Sequence, residues 1–141
     1  MAGELGHWTV VPDGLPCGCG KRGCLETVAS GWSLKQAAER LGHGGDVGAL
    51  IRGWRTGRHA EASAVNTAIA YLSMAIGNLI KLLDPSRVIL GGGVIDQSPE
   101  LSQAIASAAR EHAASRNVAD VQIERSRLGN LAPLLGGAWV E

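Results

Sequence analysis

Between Glu61 and Leu83 the apolar side chains fall at Val65, Ile69, Leu72, Ile76, Leu79 and Leu83. Steps of four and three residues put them on one face of an α-helix. Asp84-Pro85 ends it, because a proline ring disfavours helical backbone at the residue before it. Met74, Ala75 and Ile80 lie off this stripe and either enter the core or meet a second subunit. Trp8 to Val11 predicts a short strand, closed by the turn signal Pro12-Asp13-Gly14. Leu15 to Cys24 is a glycine-rich loop, and Leu25 to Leu41 predicts a helix stopped by Gly42. After the break His43-Gly44-Gly45, Asp46 can cap a short helix reaching about Trp54. Val88-Ile89-Leu90 is a buried strand by composition and runs into Gly91-Gly92-Gly93. Ser98 is a good N-cap, with Pro99 at the first helical position and Glu100 in the first turn, for a helix to about Ser115. Val121-Gln122-Ile123 predicts a strand, and Leu131 to Val140 a terminal helix weakened by Gly136-Gly137.

The second half thus alternates helix and strand, which predicts an α/β layer with neighbouring parallel strands. The first half holds a strand with nothing before it to pair with, a poor start for a domain. No linker or repeat divides the 141 residues, which suffice for one core. With 20 glycines and no phenylalanine, that core must rest on Leu, Ile, Val, Ala and four tryptophans. Trp32 and Trp54 sit in or beside predicted helices and are expected to pack rather than to serve as exposed stacking platforms. Formal net charge is zero, so nothing predicts a nucleic-acid surface held by charge. The start MAGELGHW has no basic and apolar signal regions. Ala68 to Leu83 is too short and too interrupted by Tyr71, Ser73, Asn78 and Lys81 to span a bilayer. The expected location is cytoplasmic, where clustered cysteines read as metal or redox ligands rather than disulfides.

All three cysteines fall in one run, His7-x9-Cys17-x-Cys19-x4-Cys24. Three thiolates and one imidazole make a tetrahedral zinc set, and four protein ligands leave no open position, so such a site is structural. Gly18, Gly20 and Gly23 would let the backbone wrap the ion. Two other readings stand beside this one: unrelated free thiols with a surface histidine, and a redox C-x-C pair. A zinc-bound histidine normally donates its other ring N–H to an oxygen. Glu4 and Glu26 flank the run, so zinc could gather two carboxylates and one imidazole N–H. Carboxylates accept from O–H groups and imidazole donates, which matches the vicinal diols of a sugar. A solvated surface acid is the alternative for each glutamate.

The stretch GELGHWTVVPDGLPCGCGKRGCLETVASG closely resembles the signature of the ROK family (repressor, open reading frame, kinase), which contains bacterial sugar kinases, glucokinases among them, and sugar-responsive repressors. VILGGGV at Val88 to Val94 resembles that family's late glycine segment, and LGNLAPLLGGA at Leu128 to Ala138 its closing helix. The resemblance implies zinc held by His7, Cys17, Cys19 and Cys24, and sugar hydroxyls bound by Glu4, His7 and Glu26. It implies that Gly91, Gly92 and Gly93 let the adenosine part of ATP approach the backbone. The fold it implies is α/β: part of an RNase H-like (actin/hexokinase-type) sugar kinase domain with a zinc-binding loop, lacking its first strands. Residues 1–141 would form a single partial domain, with the zinc and sugar loop at 3–26 and the α/β remainder at 27–141.

The departures carry as much information. Family kinases have a D-x-G-x-T phosphate loop, an aspartate base in an N-D context and a second, G-T-G loop; none occurs here. These parts are expected upstream of Met1, so no catalytic residue is assigned within the chain and none of its own turnover is expected. The reading is a C-terminal portion of an ATP- and Mg-dependent hexose kinase, of glucokinase or N-acetylhexosamine kinase type, with structural zinc. Two alternatives are the effector-binding part of a sugar-responsive repressor and a stand-alone zinc-stabilised sugar-binding module. The implied partners are a hexose or hexosamine and further copies of the chain in a dimer or tetramer, with neither nucleic acid nor membrane.

Overall fold

Six helices and two strands carry residues 3–114 and 121–131, the part of the chain that the computed structural model describes. The helix expected over Leu25–Leu41 is two helices, α1 (Glu26–Ala29) and α2 (Gly31–Arg40). Ser30 separates them with extended backbone, φ −121° and ψ 170°. Its hydroxyl accepts from the Ser33 N–H at 3.1 Å, and the Ser33 hydroxyl accepts from the Ser30 N–H at 2.8 Å. This reciprocal cap satisfies donors that a helix start leaves open, so a new helix begins at a corner. Asp46 caps α3 (Val47–Arg55) as expected, accepting from the Ala49 N–H at 3.0 Å.

α4 (His59–Leu83) is the central helix and packs on α1, α2, α3 and α6 (Pro99–Ala113). Its buried face is wider than the apolar stripe predicts. Ala75 and Ile80 are core, whereas Leu83 at the end of the stripe is exposed. Off-stripe residues are drawn inside because α4 is covered from several directions. Ser73 is wholly buried, and its hydroxyl donates to the Ile105 carbonyl of α6 at 3.2 Å. At 25 residues α4 is long and apolar enough by composition to cross a membrane, which Ala68–Leu83 read alone was not. Here it packs as a core helix, with buried Glu61 in its first turn.

β1 (Arg87–Leu90) and β2 (Gln122–Arg125) pair in parallel, Arg87 opposite Gln122 and Leu90 opposite Arg125. The βαβ expectation holds, with α6 as the crossover helix capped by Ser98, which accepts from the Leu101 N–H at 3.2 Å. A short helix, α5 (Gly93–Gln97), was not foreseen; it starts inside the triple glycine. α6 ends at Ala113; Ser115, and the terminal helix expected to Val140 beyond Leu131, lie outside the described residues.

Trp8–Val11 is not a strand. Thr9 makes one antiparallel bridge, to Cys24, and Leu25 N–H donates to the Trp8 carbonyl at 2.8 Å. Its partner follows it in sequence, so the segment is not orphaned.

Candidate functional site

The first turn of the site is local. Leu5–His7 is a 3-10 turn in which His7 N–H donates to the Glu4 carbonyl at 3.0 Å. That turn puts Glu4 and His7 on one side. The loop after it closes through backbone bonds: Cys17 N–H to the Lys21 carbonyl at 2.8 Å, Gly20 N–H to the Cys17 carbonyl at 3.0 Å, and Val10 N–H to the Gly23 carbonyl at 2.8 Å. Gly23 is a position that only glycine fits. Its φ is +68°, and a Cβ there would lie 1.6 Å from the Val11 carbonyl oxygen. Gly18, expected to serve the same wrap, has open space around it and no positive φ, so the loop does not depend on it.

This folding brings all four expected ligands together. One donor atom from each of His7, Cys17, Cys19 and Cys24 lies within 4.8 Å of the others. His7 Nδ1 is 3.6 Å from Cys17 Sγ, and Cys19 Sγ is 3.6 Å from Cys24 Sγ. A zinc tetrahedron with Zn–S near 2.3 Å has edges of about 3.8 Å between sulfurs and about 3.6 Å between sulfur and nitrogen. The donor set and its spacing therefore fit zinc. All three cysteines are free thiols, and the 3.6 Å sulfur separation is far beyond a bond of about 2.05 Å. Burial pushes the Cys24 thiol up to about 12, and its thiol neighbours Cys19 and Cys17 add to this. Cys19 is shifted the other way, chiefly by a backbone N–H at Lys21. A metal must displace the Cys24 proton to bind.

The carboxylates flank the same imidazole. Glu26 Oε2 lies 3.4 Å from His7 Nδ1, and Glu4 Oε2 lies 3.7 Å from His7 Nε2. Glu26 also accepts from the Cys17 thiol at 3.8 Å. Glu4, His7 and Glu26, named from spacing, are thus one cluster, and all three side chains keep solvent access.

Gly91, Gly92 and Gly93 lie elsewhere, at the C-terminal end of β1. Gly92 has φ +110°, ψ 159°, a backbone that side chains rarely adopt. The three glycines border an apolar cleft of about 310 Å³ that Ala29, Ser30, Gly31, Val65, Ile69 and Ile105 also line. α1 links the two places. It begins at Glu26 and ends at Ala29 in the cleft lining, a span of about 6 Å at 1.5 Å per residue.

Three features escaped the sequence. Asp96 Oδ2 on α5 is buried with no hydrogen-bond partner among the described residues. His43 Nε2 donates to the buried Glu61 Oε1 at 3.0 Å, joining the glycine break to the start of α4. Trp32, expected to pack, is 52% exposed. Trp54 does pack, half-buried, with Nε1–H donating to Asn66 Oδ1 at 2.9 Å. Only Asp96 had a sequence cue, a lone acid just after the glycine segment.

Comparison with known proteins identifies the family. The ROK family model matches residues 1–141. A glucokinase from Halalkalibacterium halodurans is 34% identical over 99% of this chain and 47% of its own length. Among solved structures, a ROK family glucokinase from Streptomyces griseus in complex with glucose and AMPPNP superposes with a TM-score of 0.80. It is 31% identical, over 98% of this chain and 50% of that one. A ROK family transcriptional regulator, a homologue of the E. coli MLC protein, gives a TM-score of 0.70 and 27% identity, over 88% of this chain and 34% of that one. The chain spans about half the length of the curated relatives it matches. Its structural neighbours include sugar kinases of the actin/hexokinase-like fold. The chain belongs to the ROK family.

Proposed function

We propose that this chain supplies the sugar- and zinc-binding half of an ATP-dependent hexose kinase, of glucokinase or N-acetylhexosamine kinase type. The observation that carries the reading is one imidazole flanked by two carboxylates: Glu26 3.4 Å from Nδ1 and Glu4 3.7 Å from Nε2. His7 Nδ1 faces the thiols, so with zinc there Nε2–H remains to donate outward. Zinc, when bound, supplies fixed geometry and positive charge rather than a reactive water, since all four positions are taken by protein. Losing the Cys17 thiol proton releases Glu26 to accept from a sugar hydroxyl. The nucleotide is assigned to the cleft that Gly91 to Gly93 line together with Ala29 at the end of α1, about one turn of helix from Glu26. No side chain of this chain is assigned as the general base, so the 141 residues bind sugar without turning it over.

The test is a titration of the zinc-loaded chain with glucose and N-acetylmannosamine by calorimetry or NMR, with a coupled ATP assay alongside. Saturable binding that Glu4→Gln and Glu26→Gln each weaken at least about tenfold, without turnover, is the expected result. Zinc-loaded protein that ignores every hexose refutes it. The likeness to a ROK regulator favours a second reading, an effector-binding part of a sugar-responsive repressor. Sugar binding with no affinity for ATP or its analogue would select that reading.

A further inference from the structure

Trp32 is the second residue of α2, and its indole is 52% exposed. It forms one wall of a groove of about 330 Å³ whose other walls are Pro16, Cys17, Gly18, Glu26 and Thr27. Glu26 therefore belongs to two surfaces at once, this groove and the cluster around His7. The groove is held open by its supports. The reciprocal Ser30–Ser33 cap fixes the helical turn that carries Trp32. Thr27 is buried, its hydroxyl donating to the Cys24 carbonyl at 2.7 Å. Pro16 has a fixed φ and bridges to Arg22.

The lining dictates the ligand. Its charged groups are the Glu26 carboxylate and, in the zinc-loaded chain, the Cys17 thiolate, so the groove does not select anions. An indole face offers a broad, rigid apolar surface at little conformational cost. A ring with an apolar C–H face and hydroxyls at its edge satisfies both, stacking on Trp32 and donating to Glu26. The volume is at the small end of ligand sites, enough for one ring and not for a long chain.

We propose that this groove is a second saccharide subsite, continuous through Glu26 with the Glu4–His7–Glu26 set, which takes the second ring of a disaccharide. This rests on the sugar-binding reading of that set.

The test uses the zinc-loaded chain with fluorinated tryptophan, followed by fluorine NMR during titration with glucose, maltose and cellobiose. One disaccharide is expected to shift the Trp32 resonance and to bind about fivefold or more tighter than glucose, a gain of about 1 kcal/mol. Trp32→Ala should erase that advantage and leave glucose affinity unchanged; Trp32→Phe, which keeps a smaller ring, should retain part of it. If glucose binds and Glu4→Gln weakens it, but no disaccharide gains and Trp32→Ala changes nothing, the subsite is refuted while the sugar reading stands. If no saccharide binds, both fall. If a disaccharide binds through Trp32 with no effect of Glu4→Gln, the subsite stands and the Glu4 assignment falls.

Discussion

Gly77 sits where α4 crosses α6, and a methyl group there has nowhere to go. A Cβ would lie 2.6 Å from His112 Cβ, 3.0 Å from the His112 carbonyl carbon and 3.1 Å from Ala113 N. Carbon atoms rest at about 3.5–4.0 Å, so Gly77→Ala must part the helices by about 1 Å. Two of the three atoms are backbone, so no rotamer change relieves the clash. Overpacking of this kind costs about 1–3 kcal/mol. One turn away, Ser73 holds its buried bond to the Ile105 carbonyl at 3.2 Å; stretching it costs about 1 kcal/mol more. Alanine returns about 0.8–1.0 kcal/mol in helix propensity. The net expectation is a loss of about 1–3 kcal/mol. Urea unfolding of the zinc-loaded chain, followed by circular dichroism, should show a lower midpoint with an unchanged slope. α4 and α6 also supply Leu72, Leu101 and Ile105 to the cleft beside the triple glycine, so the same substitution should weaken nucleotide binding. A variant as stable as the parent, or more stable, would refute the close crossing.

Cys19→Ser should lower zinc affinity and thermal stability; a full equivalent of retained zinc with an unchanged melting temperature removes Cys19 from the ligand set. Zinc uptake should strengthen as pH rises, because the Cys24 thiol, pushed up to about 12, keeps its proton until the metal takes its place. Calorimetry in two buffers of different ionisation enthalpy reads the released protons, and a buffer-independent heat contradicts the assignment. The Glu61 carboxyl is held below its usual value by its own backbone N–H, and further by His43 and Arg58, against the opposing effect of burial. Its folded-state value is depressed, so its stabilisation is complete above the ordinary value of 4.5 and is lost as pH falls through the folded value. The melting temperature of the parent should therefore fall more steeply in that acid window than that of Glu61→Gln; parallel profiles would refute it.

Elements with strong local signals were legible in the sequence. Ser98-Pro99-Glu100 starts α6 as expected, and Asp84, at φ +46° before Pro85, closes α4. The parallel pairing of β1 and β2 followed from the alternation of strand and helix. Errors came where a neighbour in space outweighed the local pattern. Trp8–Val11 has strand composition, but Gly23 lets the returning chain approach so closely that a single bridge and a turn replace a ladder. Leu25–Leu41 has helical composition throughout, yet Ser30 and Ser33 satisfy each other better as a cap than as interior residues. The stripe on α4 pointed to Leu83 as core because periodicity sees one face, whereas helices cover α4 on several sides and reach Ile80 instead.

The site divides in the same way. The clustering of His7, Cys17, Cys19 and Cys24 was readable because a short glycine-rich loop has few ways to keep four such closely spaced donors apart. Glu4 and Glu26 were readable as neighbours of that cluster because each is within three residues of His7 or Cys24. The Trp32 groove was not, because its walls come from the loop, α1 and the start of α2, and only the corner at Ser30 turns the indole toward Glu26's groove. The same corner sets the rim of the cleft beside Gly91 to Gly93. One cap thus positions both the aromatic wall of the proposed saccharide subsite and an edge of the nucleotide's proposed position. Replacing it should disturb the two together: Ser30→Ala, which removes a cap of about 1 kcal/mol, should weaken nucleotide binding and disaccharide preference in parallel. If only one of the two changes, the corner is not their common support.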